Sequence, residues 1–202
     1  MSMKTGLNLK IALIVSVLIL ALSGVGMAAD FSADYVQKTQ GKTMNGKIYI
    51  KGKKIRTETN TGGQKTVSII DLSKAKVIIL FPGQRMYMET HVDKDMEKSF
   101  QTEDDLGKIA AKKLLGTETV NGYKCQKYHF TFHDKSLGAS THWISKKLQC
   151  PIKMISKGSH GEVTMEYKNI KVGGVKDSLF QVPAGYTVMG GPGMGFFPGG
   201  QR

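Results

Sequence analysis

The chain contains 202 residues, in which 29 lysines and arginines outnumber 16 aspartates and glutamates and give a net charge of +13. Such an excess of positive charge favours contact with anionic partners. The lysines are scattered through every segment instead of forming one basic block, and the N-terminal residues predict export, which argues against a nucleic-acid partner. An anionic membrane or cell-wall surface is therefore favoured. A simpler interpretation is that interspersed lysines keep exposed sheet edges soluble.

Residues 1–28 have the features of a secretory signal peptide. Lys4 and Lys10 precede an apolar run over residues 11–22, and the small residues Gly26 and Ala28 follow at the position where signal peptidase cleaves. The run is shorter than the roughly 20 residues that a membrane-spanning helix needs. We therefore predict cleavage after Ala28, with Ala29 as the alternative, and a periplasmic or otherwise exported mature protein. An uncleaved membrane anchor is the competing interpretation.

The next part of the chain, residues 29–188, has a length that suits one domain. Its first half consists of runs such as MNGKIYIKGKKIRTETN, in which apolar and polar residues alternate with a period of two. Turn residues stand where the alternation breaks off, at Gly52-Lys53, Ser73-Lys74 and Pro82-Gly83. This pattern predicts a succession of antiparallel hairpins.

Residues Glu103 to Leu115 interrupt the strand pattern. They begin with three acidic residues, are poor in β-branched side chains and end before Gly116, as a helix does. The apolar residues fall on one helical face at Leu106, Ile109, Ala110 and Leu114. We therefore predict one amphipathic helix inserted into the sheet.

Strand patterns resume after this insertion and continue through YKCQKYHFTFHD, ASTHWISKK, PIKMISK and GEVTMEYKNIKV. The last residues, 189–202, are rich in glycine, proline and methionine. Such a composition cannot build a packed element, so we predict a flexible tail.

Two cysteines, Cys125 and Cys150, each stand near the start of a predicted strand. An even number of cysteines in an exported chain favours a disulfide, because the compartment is oxidising. A nucleophilic cysteine is the alternative, but the nearest histidine along that strand, His129, lies four residues and about 13 Å from Cys125. We therefore predict a disulfide that fastens one strand to another.

Metal binding and catalysis have little support in the sequence. His129, His133, His142 and His160 fall in the second half of the chain, but neither a His-x-His nor a Cys-x-x-Cys spacing occurs. Hydrolase motifs and a phosphate loop are also missing from the sequence. We predict a protein that is not an enzyme and needs no cofactor or metal, with metal handling as a minor alternative.

A curved sheet with a single helix has two faces and too little helix to cover a wide one, so an apolar hollow is expected. Methionine suits a pliable site for an acyl chain, although packing within the core is the ordinary use of such residues. The candidate lipid-binding residues are Ile48, Ile50, Ile69, Ile79, Phe81, Met86, Met88, Phe130, Trp143, Met154 and Met165.

The second half of the chain resembles the closing half of proteins with the lipoprotein-localisation (Lol) carrier fold. The matching segments are GTETVNGYKCQKYHF, HWISKKLQCPIKM, VTMEYKNIKV and DSLFQVPAGYTV. Within that superfamily the chain is most similar to exported bacterial domains of unknown function. The resemblance implies an incomplete antiparallel barrel that wraps around helices and holds acyl chains. The carriers also have an arginine in an early strand, where this chain has Arg56.

Together these features predict a mainly β (α+β) fold, in which a curved antiparallel sheet or incomplete barrel wraps around a short helical insertion. We expect a periplasmic or otherwise exported monomer that binds a lipid or lipoprotein acyl chain, or another apolar ligand, in the hollow of the sheet, as in outer-membrane lipoprotein or lipid handling. The alternative is an envelope structural or sensory module that acts through a protein partner. The cysteine pair, the short helix and the glycine-rich tail depart from the carriers and put transport itself in question.

Overall fold

The structure is a computed structural model, and it describes residues 29–91, 103–158 and 161–189. The predicted signal peptide lies outside the described residues, as does the predicted tail beyond Met189. The described chain contains twelve strands, one short α-helix and two 3-10 helices, Lys135–Leu137 and Asp177–Phe180. The elements are β1 Phe31–Thr39, β2 Lys42–Lys51, β3 Lys54–Thr61, β4 Gln64–Asp71, β5 Lys76–Phe81, β6 Met86–His91, α1 Glu103–Ile109, β7 Ala110–Val120, β8 Tyr123–Phe132, β9 Ala139–Ser145, β10 Cys150–Gly158, β11 Gly161–Val172 and β12 Thr187–Val188.

All twelve strands form one open, curved sheet in the order β12-β6-β5-β4-β3-β2-β1-β11-β10-β9-β8-β7. Every pairing is antiparallel except that of β12 with β6. The first strand, β1, lies between β2 and β11 and so joins an early meander to a late one. The predicted antiparallel, mainly β fold is therefore confirmed.

The predicted hairpins form because the turn residues fall between short strands that each have a buried face. The turns at Gly52, at Ser73 and at Pro82 all connect neighbouring strands of the early meander. Gly52 has a φ of 55°, a left-handed conformation that glycine adopts without a steric cost. Irregularities in β1, β7 and β10 increase the local bend and twist of the sheet.

The predicted helix over Glu103–Leu115 is wrong beyond Ile109. The residues from Ala110 onward form β7, which pairs with β8 from Ala110↔Phe132 to Val120↔Tyr123. Helix-favouring side chains do not prevent this, because pairing along a whole neighbouring strand outweighs a local propensity of a few tenths of a kcal/mol per residue. Gly116 lies at a bulge in β7 and does not end a helix. Among the described residues, the only α-helix that the sheet could wrap around is therefore the seven-residue segment Glu103–Ile109.

The sheet has two apolar faces, because alternate residues of β4 and β5 belong to different clusters. We call the face that carries Ile70 and Ile79 the inner face, and the face that carries Ile69 and Ile78 the outer face. The inner cluster is the largest and extends from β5 through β1 to the late strands. A third, small cluster lies under α1. No helix among the described residues is long and apolar enough to span a membrane.

Candidate functional site

The strand register aligns the buried residues of the inner face into two rows that run across the early meander. Cross-strand partners share a face, so each row is a continuous line of side chains. The first row is Phe31, Ile50, Ile55, Ile70 and Val77. The second row is Ala33, Ile48, Thr57, Ser68, Ile79 and Met88. Together the rows form an apolar strip from β1 to β6.

The strip becomes accessible at β6. Ile48 and Ile50 are fully buried, whereas Phe81, Met86 and Met88 are only partly buried. The pairs Phe81↔Met86 and Ile79↔Met88 place these side chains beside one another on the inner face. We call Phe81, Met86 and Met88 the rim. The rim is where an apolar ligand would first meet the strip.

In the part of the chain that the structure describes, three buried polar atoms have no hydrogen-bond partner: Ser68 Oγ, Ser140 Oγ and His142 Nδ1. Ser68 belongs to the second row, two strands in from Met88. His142 pairs with Met154 of the inner cluster, and its ring centroid is 4.8 Å from that of Phe130. Burial lowers the pKa of His142 to about 4, so this imidazole is neutral at neutral pH. Buried polar groups are normally paired, which makes all three atoms potential anchors for a polar ligand atom.

The outer face is covered by the end of the described chain. Val175 and Phe180 pack against Ile69 and its neighbours on β4 and β5. Arg56 fixes this segment, because its guanidinium donates a 2.8 Å hydrogen bond to the carbonyl oxygen of Leu179. Ile69, a predicted lipid-binding residue, therefore lies beneath the chain's own C-terminal segment and away from the inner strip.

Arg56 and Glu58 form an ion pair at this cover. Arg56 Nη2 lies 2.7 Å from Glu58 Oε1, and Lys65 contacts the other carboxylate oxygen at 2.8 Å. Desolvation opposes the charge of Glu58, but hydrogen bonds from Lys65 and Arg56 outweigh it and keep the pKa of that carboxyl below its ordinary value. The pair thus stays charged at neutral pH, and the early-strand arginine has a structural role on the outer face.

The remaining candidates fall into different surroundings. Met154 and Met165 belong to the inner cluster, whereas Phe130 lies with Leu106 and Ala110 beside α1. Trp143 is also a buried member of the inner cluster, but its neighbours include charged groups. Its indole N–H donates a 2.6 Å hydrogen bond to Glu118, and the ammonium groups of Lys127 and Lys153 each lie 4.9 Å from the ring centroid.

The structure contains no disulfide between Cys125 and Cys150, which are both free and buried. Their strands lie on opposite sides of β9, and each cysteine pairs with Ser145. Two interstrand spacings separate their backbones by roughly 10 Å, beyond the about 7 Å that a disulfide spans. Burial raises the pKa of both thiols, that of Cys150 to about 12, so both are neutral. The predicted disulfide is therefore not part of this fold.

No group of three or more metal-binding side chains lies close enough to hold an ion within residues 29–91, 103–158 and 161–189. His160 falls outside the described residues. The feature that sequence reasoning missed is the C-terminal cover. Leu179, Phe180, Val182 and Tyr186 are apolar, but they follow no helical or strand period, so only their composition could have indicated burial.

A family model described as a domain of unknown function, DUF4412, matches residues 35–150 and 147–186. The chain belongs to this family. The match runs from Tyr35 in the middle of β1 to Tyr186 in the C-terminal cover, so the DUF4412 domain includes both faces of the sheet. The predicted relation to a domain of unknown function is thus confirmed. No curated protein matches the chain.

Several solved structures are similar to this DUF4412 protein. An uncharacterized conserved protein from Thermus thermophilus has a TM-score of 0.59 and 11% identity, covering 86% of this chain and 98% of that one. A chain of the Pseudomonas aeruginosa MucA/MucB complex has a TM-score of 0.56 and 13% identity, with 84% of this chain and 61% of that chain covered. A LolA superfamily protein from Nitrosomonas europaea has a TM-score of 0.40 and 9% identity, with coverages of 82% and 96%. At these identities the likeness concerns the fold alone.

Proposed function

We propose that this DUF4412 protein is exported and binds the acyl chain of an amphipathic ligand at the rim of the inner face. The observation that carries the proposal is the row that leads from partly buried Met88 through Ile79 to Ser68, whose buried hydroxyl has no partner among the described residues. An apolar chain would remove the rim from water, and each buried methylene contributes roughly 0.8 kcal/mol. No covalent chemistry is involved.

The unpartnered hydroxyl of Ser68 favours a ligand that carries a polar atom over a pure hydrocarbon. A buried hydroxyl without a partner costs about 1–3 kcal/mol, and a ligand oxygen or N–H at this point would recover part of that cost. Beside Ser68 in the row lie Thr57, which carries a hydroxyl and a methyl group, and Ile79, which is apolar. The ligand class that fits is therefore a fatty acid or another acyl compound with a polar group.

Export and acyl binding are also what the resemblance to the Lol carriers implies. The scattered lysines add to this proposal, because they would attract the anionic head groups of envelope lipids. Arg56, the arginine in an early strand, adds little support to acyl binding, because it is hydrogen-bonded to Leu179 in the C-terminal cover.

The first test is co-purification. The protein is expressed with its leader, purified without detergent and examined by native mass spectrometry and by lipid extraction. We expect masses that correspond to bound acyl species, and we expect a fluorescent fatty-acid probe to bind the delipidated protein. A protein that is free of lipid and gives no probe signal would contradict the proposal.

The second test uses Ser68→Ala. This change removes the unpartnered hydroxyl, so the free protein should keep or gain stability, while affinity for a fatty acid falls about 5-fold, or roughly 1 kcal/mol. Ser140→Ala is the matched control, because its hydroxyl is equally unpartnered but lies on β9, away from the rim. Equal fatty-acid affinities for the two variants would show that Ser68 does not contact the ligand.

A second function, binding of a protein partner, is favoured by the exposed edge of the sheet. Strand β7 ends the sheet order, and nine of its eleven residues are exposed. Leu114 is 53% exposed and Leu115 48% exposed, and such an edge can accept a strand from another chain. The similar structure named as the MucA/MucB complex is also an assembly of two proteins.

The two functions differ in the residues on which they depend. Leu114→Lys combined with Leu115→Lys should leave probe binding at the rim unchanged. If these changes abolish a physiological interaction in a lipid-free protein, partner binding through β7 replaces acyl binding as the function.

A further inference from the structure

A pocket of about 680 Å³ lies at the end of the sheet where the β7–β8 and β9–β10 turns meet. Lys124 comes from the start of β8, and Lys146 and Lys147 come from the turn after β9. The turns place these lysines together although more than 20 residues separate them in the sequence. Tyr123 and Cys125 line the same pocket and also contact the inner cluster. We call this feature the lysine pocket.

No acidic side chain among the described residues neutralises the positive charge of the lysine pocket. Within the part of the chain that the structure describes, its lining contains no carboxylate, and none of its three lysines forms an ion pair. The nearby acids have other partners. Glu118 accepts hydrogen bonds from Lys127 and Trp143, and Glu166 accepts one from Asn121. A concave surface with one sign of charge focuses the electric field on whatever enters it.

A second lysine-containing pocket, on β1, β2 and β11, shows the opposite arrangement. It measures about 490 Å³ and contains Lys47 and Lys171 together with Asp34. Lys47 Nζ lies 3.3 Å from Asp34 Oδ1, and Asn169 donates a 2.8 Å hydrogen bond to the other oxygen of Asp34. An internal carboxylate thus already occupies the place that an external anion would take. Of these two pockets, the lysine pocket is the one whose described lining contains no carboxylate.

The lining of the lysine pocket also offers neutral hydrogen-bond donors. Thr117 has a hydroxyl and Gln126 has an amide, and both line the pocket with the lysines. The Cys125 thiol donates to the carbonyl oxygen of Tyr123 at 3.3 Å, and burial raises its pKa, so it adds no negative charge. Ammonium, hydroxyl and amide donors around one cavity suit a multidentate oxyanion such as phosphate.

We infer that the lysine pocket, formed by Lys124, Lys146 and Lys147, is a binding site for a phosphate group. The group can belong to free phosphate or to the headgroup of an anionic phospholipid, and both sources use the same donors. This inference does not rest on acyl binding at the rim, because the lysine pocket lies at the opposite end of the sheet order from β6.

The test compares two variants that lose the same charge. Lys146→Gln combined with Lys147→Gln removes two charges from the lysine pocket, and Lys168→Gln combined with Lys171→Gln removes two from β11. Lys146 and Lys147 are exposed, so the first variant should keep the wild-type urea unfolding midpoint. Binding of inorganic phosphate is measured by isothermal titration calorimetry at near-physiological salt. Binding to vesicles is measured by co-sedimentation with phosphatidylglycerol and with phosphatidylcholine.

We expect the lysine-pocket variant to lose at least 10-fold in affinity and the β11 variant to stay within 2-fold of wild type. Binding of inorganic phosphate identifies a site for the free anion. Binding of phosphatidylglycerol vesicles alone, lost only in the lysine-pocket variant, identifies the lipid headgroup as the source. Equal losses in both variants would mean that net charge alone drives binding and would overturn the inference. Binding of neither ligand by the wild-type protein would overturn it as well.

Discussion

The two faces of the sheet are built from neighbouring residues of the same strands, yet the described chain covers them to different extents. On the outer face, Ile69 and Ile78 are covered by the chain's own residues, and Arg56 holds that cover in place. On the inner face, the apolar strip reaches β6 and ends at the partly buried rim. An apolar surface closed by its own chain contributes stability, whereas one that reaches solvent can contribute binding.

Among the changes that distinguish the two faces, Phe180→Ala is expected to have the largest effect on the free energy of unfolding. Phe180 is buried against the outer cluster, and loss of a buried phenyl ring costs about 3–5 kcal/mol. We expect a loss in this range in the free energy of unfolding, measured by urea titration, with acyl-probe affinity of the folded protein unchanged. A loss of probe affinity without a loss of stability would assign the ligand to the outer face.

The second effect concerns pH and the inner face. Burial lowers the pKa of His142 to about 4 in the folded protein, whereas an unfolded histidine titrates near 6.5. Between these values the unfolded chain binds a proton that the folded chain does not. Neutral His142 therefore contributes to the free energy of unfolding in full above about pH 6.5. This contribution, about 3 kcal/mol in all, is lost as the pH falls toward 4.

His142→Leu should remove this pH dependence, as measured by urea unfolding at several pH values between 4 and 7. The exposed histidine His133 supplies the control, since His133→Gln should leave the dependence in place. An unchanged slope in His142→Leu would show that other groups cause the acid sensitivity.

The third prediction tests how tightly the inner face is packed far from the rim. A Cβ atom on Gly46 would collide with the carbonyl oxygen of Glu58 and lie 2.6 Å from Cε1 of Tyr35. Gly46→Ala should therefore cost about 1–3 kcal/mol of stability. Gly83→Ala is the control, because nothing lies within 4 Å of its added Cβ. Thermal unfolding of the two variants should differ clearly, and similar melting temperatures would indicate a loosely packed β1–β2 region.

The smallest effect in free energy is expected at the rim and bears most directly on function. Met88→Glu places a charge in an apolar, partly buried position and should weaken binding of a fatty-acid probe about 10-fold, or roughly 1.4 kcal/mol. Stability should fall by less than in Phe180→Ala, because Met88 is only partly buried. The control Thr90→Glu adds the same charge two residues farther along β6, where the side chain is exposed. If probe affinity falls equally in Met88→Glu and Thr90→Glu, charge repulsion alone explains the loss.

Several features of the fold follow from short stretches of sequence. The hairpins at Gly52 and Pro82 are predictable because a period of two and a turn residue act within a few residues of one another. The same reasoning fails for residues 110–115, since their helix-favouring composition is a weaker influence than pairing with β8. It also fails for the cysteines, because the identity of the strand between them depends on sheet order.

The candidate site is predictable only in part for the same reason. The composition of β4 and β5 indicates two buried faces, but nothing local indicates which face the C-terminal segment covers. Composition alone therefore groups Ile69 with Ile79, although the two side chains lie on opposite faces. The lysine pocket depends on two turns meeting in space, and no pattern along the chain indicates that meeting.

The amino-acid sequence alone determined the class of fold, the positions of most turns and the excess of positive charge, because each depends on composition or on neighbouring residues. Tertiary structure alone decided that β7 is a strand, that the cysteines lie apart and that Arg56 holds a cover. It also decided that the rim and the lysine pocket are separate features. The physical reason is that strand pairing and burial join residues distant in the chain, and their combined free energy exceeds any local preference.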